Sequence, residues 1–191
     1  MTGFQYFGMQ PSQADPSTKI EHALKIIRAV IFPVDGVLNG GRITFDRHGD
    51  ELCSISVRDV VAIREAQKQG LYVAVISERD VEGYRLLLKN LGMNEFYFNL
   101  NNLLLAYETF RDSHNLIDEE CAYIGDDIGD LAVLEKVGFP VTPIDGADYL
   151  RNRVGYISGY EGGKGCLREI IELILTQQGK WLYSERIEED T

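Results

Sequence analysis

Short apolar runs rich in β-branched residues alternate with amphipathic stretches along most of this chain, and that alternation constrains the fold more than any other feature. "AVIFPV" (29–34), "LYVAVIS" (71–77), "EFYF" (95–98), "CAYIG" (121–125), "FPVT" (139–142) and "VGYIS" (154–158) read as strands. Helices are expected at 18–27, 60–69, 81–91, about 101–113, 128–137 and 164–175. Thr18 and Glu21 have the spacing of a capping box for the first helix, and Gly70, Gly92 and Gly138 close three of the others. Repeated strand-then-helix units give a parallel sheet covered on both faces. The expected fold class is therefore α/β: a three-layer, mostly parallel central sheet between helices. One segment departs from the pattern. Residues 42–56, "RITFDRHGDELCSIS", alternate around the turn signal Arg-His-Gly-Asp and read as a protruding β-hairpin.

A chain of 191 residues suffices for one domain with a full core. The organisation expected is a flexible lead-in at 1–17, a single domain at 18–178 and a polar tail at 179–191. No apolar run approaches the ~20 residues of a membrane span, and the N-terminal residues lack the basic-then-apolar order of a secretory signal. The three cysteines (Cys53, Cys121, Cys166) show no metal spacing, and their odd number argues against a disulfide framework; a reducing cytoplasm is the expected setting. A formal charge of −11 disfavours nucleic acid as a partner. His22, His48 and His114 share no ligand spacing and are expected in surface or helix-face roles.

Ligands of open parallel sheets sit beyond the carboxyl ends of the strands. Three such ends carry chemistry here: Asp35-Gly36 after the first strand, Ser77-Glu78-Arg79 after the second, and Gly125-Asp126-Asp127, with Asp130 a turn later, after the fourth. Carboxylates from two strands with a hydroxyl and a guanidinium suit Mg²⁺ plus a phosphoryl group. The plainer alternative is that Asp, Ser and Gly simply populate loops.

The segments "VIFPVDGVL", "ISVRDVVAIREAQKQG", "VAVISERD", "AYIGDDIGDLAVLEKVG" and "EGGKGCLREIIELIL", with the hairpin, resemble the cap-less phosphatases of the haloacid dehalogenase superfamily that act on 3-deoxy-D-manno-octulosonate 8-phosphate. The likeness runs from about residue 27 to 175. In that family the first strand ends Asp-x-Asp-Gly. The first Asp attacks phosphorus and binds Mg²⁺; the second is the general acid/base, and its carbonyl reaches the metal. The resemblance puts Asp35 in the second place and Pro33 in the first, so the nucleophile is lost. A proline offers no nucleophile, no metal ligand and no N–H. Asp35 lies two residues along, ~6.5 Å further on, too far for in-line attack from the vacated place.

Other departures accompany it. The family's phosphate-binding Lys falls at Leu103, Glu78 replaces a glycine, Val60 stands where the family has a glycine, and an arginine of the third helix falls at Leu87, beside Arg85. By the same resemblance Ser77, Arg79, Arg58, Asp59 and Arg64 occupy phosphate and sugar-contact positions, and Asp126, Asp130 and the Asp35 carbonyl metal positions. Asp126 and Asp130 could equally cap a helix start, and Arg58 and Asp59 could form a local ion pair. The resemblance implies a pseudo-phosphatase with weak or absent Mg²⁺ binding, serving oligomerisation, ligand sensing or a partner synthetase. It also implies a homotetramer built through the hairpin and a sugar-acid or phosphate ligand. The competing expectation is an active Mg²⁺-dependent phosphomonoester hydrolase with a rearranged site.

Overall fold

The computed structural model describes residues 16–182; the lead-in up to 15 and the tail from 183 lie outside the described residues. Six strands form one sheet in the order β3-β2-β1-β4-β5-β6. They are β1 (Ala29–Phe32), β2 (Tyr72–Ile76), β3 (Phe96–Tyr97), β4 (Cys121–Ile124), β5 (Phe139–Thr142) and β6 (Tyr156–Ile157). Every pairing is parallel, with Ile31 opposite Ala74 on one side and Tyr123 on the other. Among the described residues six α-helices flank or connect them: α1 (Pro16–Ile26), α2 (Val57–Lys68), α3 (Glu82–Asn90), α4 (Leu103–Ser113), α5 (Leu131–Leu134) and α6 (Cys166–Gln177).

The period-2 alternation of a strand sorts β1 between two cores. Val30 and Phe32 join Leu24 of α1, Ile63 of α2, Leu88 of α3 and Ile170 of α6 on one face. Ala29 and Ile31 join Phe110 of α4 and Leu134 of α5 on the other. The expected α/β sandwich is the observed one, and the central strands are buried at every position.

The differences are local and have causes. β1 stops at Phe32 because Pro33, in ordinary extended conformation (φ −81°, ψ 167°), has no N–H for the ladder. Thr18 lies inside α1 rather than at its cap, since the helix already begins at Pro16, a residue whose fixed φ suits a first turn. The helix expected at 128–137 is a 3-10 turn (Ile128–Asp130) running into the single α-turn of α5, because the Asp130 side chain folds back onto the preceding loop. The hairpin keeps its turn, with Asp46 N donating to Asp50 O (2.9 Å) and Leu52 N to Thr44 O (2.8 Å), but its ladder is one antiparallel bridge, Phe45 with Glu51. Two strands with no third to pair with form a poor ladder. Packing also continues beyond 178: Trp181 is buried in the first core with Arg168 over its ring.

Candidate active site at the carboxyl edge of the sheet

Because the strands are parallel, the segments after β1, β2 and β4 emerge on one edge. After β1 the chain makes a wide turn over Val34–Leu38, closed by Asn39 N donating to Val34 O (3.1 Å). Asn39 organises this turn. Its Oδ1 accepts from Gly36 N (3.0 Å) and Gly41 N (2.9 Å), while its Nδ2 donates to Asp35 Oδ1 (2.6 Å).

The Asp35 carboxylate is also gripped by Arg79, from the segment after β2, through Nε to Oδ2 (2.6 Å) and Nη2 to Oδ1 (3.1 Å). The other edge of the same guanidinium donates to Glu51, Nη2 to Oε1 (2.8 Å) and Nη1 to Oε2 (3.2 Å). Arg79 is thus doubly clamped, and the two carboxylates push its guanidinium pKa further up. Ser77, at 2% exposure, directly follows β2, its amide donating to Tyr97 O (2.9 Å). Glu78 reaches across to the β4 segment, where its Oε1 would lie 3.3 Å from a Cβ placed on Gly129.

After β4, the Asp130 carboxylate turns inward. It accepts from the Tyr123 hydroxyl (2.6 Å) and from the backbone N–H of Asp126 (2.8 Å) and Asp127 (3.2 Å). Asp126 projects towards the β1 turn so closely that a Cβ on Gly36 would lie 1.8 Å from its Cγ; with φ at +74°, position 36 is a glycine for both reasons. Burial, then the charges of Asp130 and Asp127, push the Asp126 carboxyl up to about 7. Gly162 is the second close approach: a Cβ there would lie 1.7 Å from Gly36 O. The "EGGKG" segment therefore packs backbone against backbone on the β1 turn.

The structure brings Pro33, Asp35, Ser77, Arg79, Asp126 and Asp130 to one edge. It does not bring the α2 residues there in the expected way. Asp59 is fully buried, with Oδ1 accepting from Arg168 N (2.8 Å) at the start of α6. It caps that helix and forms no ion pair with Arg58. Arg58 lines an open groove of about 550 Å³ beside Tyr160, Gly165 and Arg168, and Arg64 is exposed further along α2. Leu103 is the first residue of α4 and packs into the second core. Val60 is half-buried in α2, and Leu87 rests against the first core. Arg85 is taken by Asp80 (2.6 and 2.7 Å) and lies over the Phe98 ring. Glu51 and Tyr123 carried no distinguishing sequence signal; Asn39, four residues after Asp35 and before Gly-Gly, had a readable turn signal.

Among the described residues no group of three or more His, Cys, Asp or Glu side chains is arranged to hold a metal ion. Pro33 supplies no ligand, Asp35 is committed to Arg79 and Asn39, and the Asp130 oxygens accept three hydrogen bonds. What is left of the expected metal positions is the Asp126 carboxylate and the backbone carbonyl of Asp35, and Mg²⁺ sites commonly use one or two carboxylates completed by waters and a ligand's phosphate oxygens.

No protein-family model matches the chain. It is 36% identical over 170 residues to the 3-deoxy-D-manno-octulosonate 8-phosphate phosphatase KdsC of Escherichia coli (strain B / BL21-DE3), a match that covers 89% of this chain and 88% of that protein. A hydrolase from Legionella pneumophila assigned to the HAD superfamily (subfamily III A) superposes with a TM-score of 0.85 at 28% identity, covering 92% of this chain and 97% of that one. The 3-deoxy-D-manno-octulosonate 8-phosphate phosphatase of Moraxella catarrhalis, solved with magnesium, phosphate and KDO, gives 0.83 at 28% identity, covering 91% and 99%. The identity and extent of these matches make the chain a member of the KdsC-like phosphatase family of the haloacid dehalogenase superfamily.

Proposed function

We propose that this chain is a pseudo-phosphatase: it keeps the family scaffold and a sugar-acid or phosphate ligand but does not hydrolyse phosphomonoesters. The observation that carries the reading is Pro33 at the tip of β1, immediately before the turn that holds Asp35. Phosphoryl transfer through an aspartyl intermediate needs a carboxylate there. In enzymes that work through a covalent intermediate, removing the nucleophile costs roughly 10⁶-fold, or ~8 kcal/mol of transition-state stabilisation. Asp35 is a poor substitute, since the Arg79 guanidinium stabilises its carboxylate as an ion-pair partner rather than freeing it to attack. Leu103, packed in the core, offers no cation to a phosphate. Binding of Mg²⁺ is expected to be weak or absent, and if an ion is recruited it comes with a ligand's own oxygens.

Assembly is the second part of the proposal. Ile43, Phe45 and Leu52 on the hairpin are 49%, 60% and 54% exposed, an apolar surface suited to a homotetramer; a monomer in sedimentation at micromolar concentration would reject it. Support of a partner synthetase is a further role consistent with a silent site.

The retained Asp35 and Asp126, with 36% identity to a relative named as a phosphatase, favour an active hydrolase as the second reading. One assay separates the two. The wild type and a Pro33→Asp, Leu103→Lys double mutant are compared on 3-deoxy-D-manno-octulosonate 8-phosphate and a chromogenic phosphomonoester, with and without Mg²⁺. An inert wild type beside a partly active mutant is expected; comparable turnover by the wild type overturns the pseudo-phosphatase.

A further inference from the structure

The hairpin and the candidate site meet at a single guanidinium. Residues 42–52 are almost wholly exposed, and their own bonds are mostly internal: Arg47 to His48, and the amides of His48 and Asp50 to the Asp46 carboxylate. Among the described residues, the hydrogen-bonded tie from 42–52 to the body of the domain is Glu51 to Arg79; the base of the hairpin is anchored separately, by Ser54 N and O on the Tyr84 hydroxyl (3.4 and 3.3 Å) and by Cys53 and Ile55 packed on the first core. Arg79 in turn sits beside Ser77 and holds Asp35.

A guanidinium is a planar fork with two usable edges, and here both are taken by carboxylates. An anion arriving at the sheet edge can make a bidentate contact with Arg79 only by displacing one of them. Asp35 is the firmer partner: its bond to Nε is 2.6 Å, it is held independently by Asn39, and it stands on the turn fixed to β1. Glu51 is the partner that yields: among the described residues its side chain bonds only Arg79, and residues 42–52 are otherwise held only through the hairpin's base.

We infer that Arg79 is a two-position latch: an anionic ligand, phosphate or carboxylate, takes the edge held by Glu51 and thereby frees the outer part of the hairpin, residues 42–52, while a docked hairpin holds Glu51 on Arg79 and weakens anion binding. Linkage makes the two effects equal in size. Glu51 is a positioning residue in this scheme, acting through Arg79. The inference shares with the proposed function the expectation of an anionic ligand at this edge, and it is independent of turnover.

The test uses the full chain, inorganic phosphate as the probe, and hydrogen exchange at the hairpin amides of Asp46 and Leu52. Phosphate should speed their exchange in the wild type. Glu51→Gln should raise it about 5-fold without phosphate, bind phosphate about 5-fold more tightly, and lose the further response. Arg79→Gln should loosen the hairpin equally while abolishing phosphate binding, which separates release of the latch from misfolding of either variant. Unaltered β1 and β4 amides report an intact fold. The latch is overturned if Glu51→Gln leaves hairpin exchange and phosphate affinity at wild-type values, if phosphate slows hairpin exchange, or if neither protein binds phosphate. Neither readout involves hydrolysis, so an active wild type that passes this test overturns only the pseudo-phosphatase reading.

Discussion

Asp130 and Asp59 are both buried aspartates, at 4% and 0% exposure, and burial pushes both carboxyls up from the ordinary value, yet the fold supplies them unequally with hydrogen-bond donors. Both oxygens of Asp130 are used, by one hydroxyl and two backbone amides, and the result is a fixed loop after β4. Asp59 has one oxygen on Arg168 N, while its Oδ2 has no hydrogen-bond partner among the described residues. Burial pushes the Asp59 carboxyl up to about 6, against the opposing pull of the Arg168 and Gly165 backbone N–H groups and the Arg168 charge. The number of donors offered, more than depth, decides whether a buried carboxylate anchors its surroundings or strains them.

Three substitutions can break or sharpen this contrast. The largest effect is expected from Asp130→Ala, which leaves the Tyr123 hydroxyl and two amides without their acceptor: about 4 kcal/mol less stable in urea unfolding followed by Trp181 fluorescence. A loss below about 1 kcal/mol would erase the distinction. Next comes Asp59→Asn, whose effect should depend on pH. The folded carboxyl titrates near 6 and an ordinary aspartate near 3.8, so between these values the folded state binds the extra proton. Stability from this group is present below about pH 3.8 and lost as pH rises through 6, by about 3 kcal/mol in all. The asparagine variant should therefore gain on the wild type by roughly 2 kcal/mol between pH 4.5 and pH 8; an unchanged difference between the two pH values would show that the missing donor at Asp59 Oδ2 costs the charged form nothing. Tyr123→Phe is the mildest change. It removes one of three bonds to Asp130 and should cost about 1.5 kcal/mol with no pH signature peculiar to Asp59.

The sheet and its helices were legible because β1, β2 and β4 are central strands whose apolar runs are bounded by turn residues. The edge was legible for a related reason: parallel topology carries Asp35, Ser77, Arg79 and Asp126 to one side, whatever their partners. What sequence could not convey were the partners themselves. Glu51 lies 28 residues from Arg79, on a segment whose local pattern speaks only of a hairpin. Asp59 sits in the first turn of α2, where a carboxylate suits its own helix, yet it caps α6, 109 residues away. Trp181 belonged by composition to a polar tail and by packing to the core. Each of these is a tertiary choice among locally acceptable options.

The dihedrals at Pro33 have one more implication. An extended φ of −81° and ψ of 167° suit any L-amino acid, so the main chain does not rely on the pyrrolidine ring to follow its course out of β1. Replacing one codon, Pro33→Asp, would present a carboxylate and restore a backbone N–H at the tip of β1 without rebuilding the frame around it.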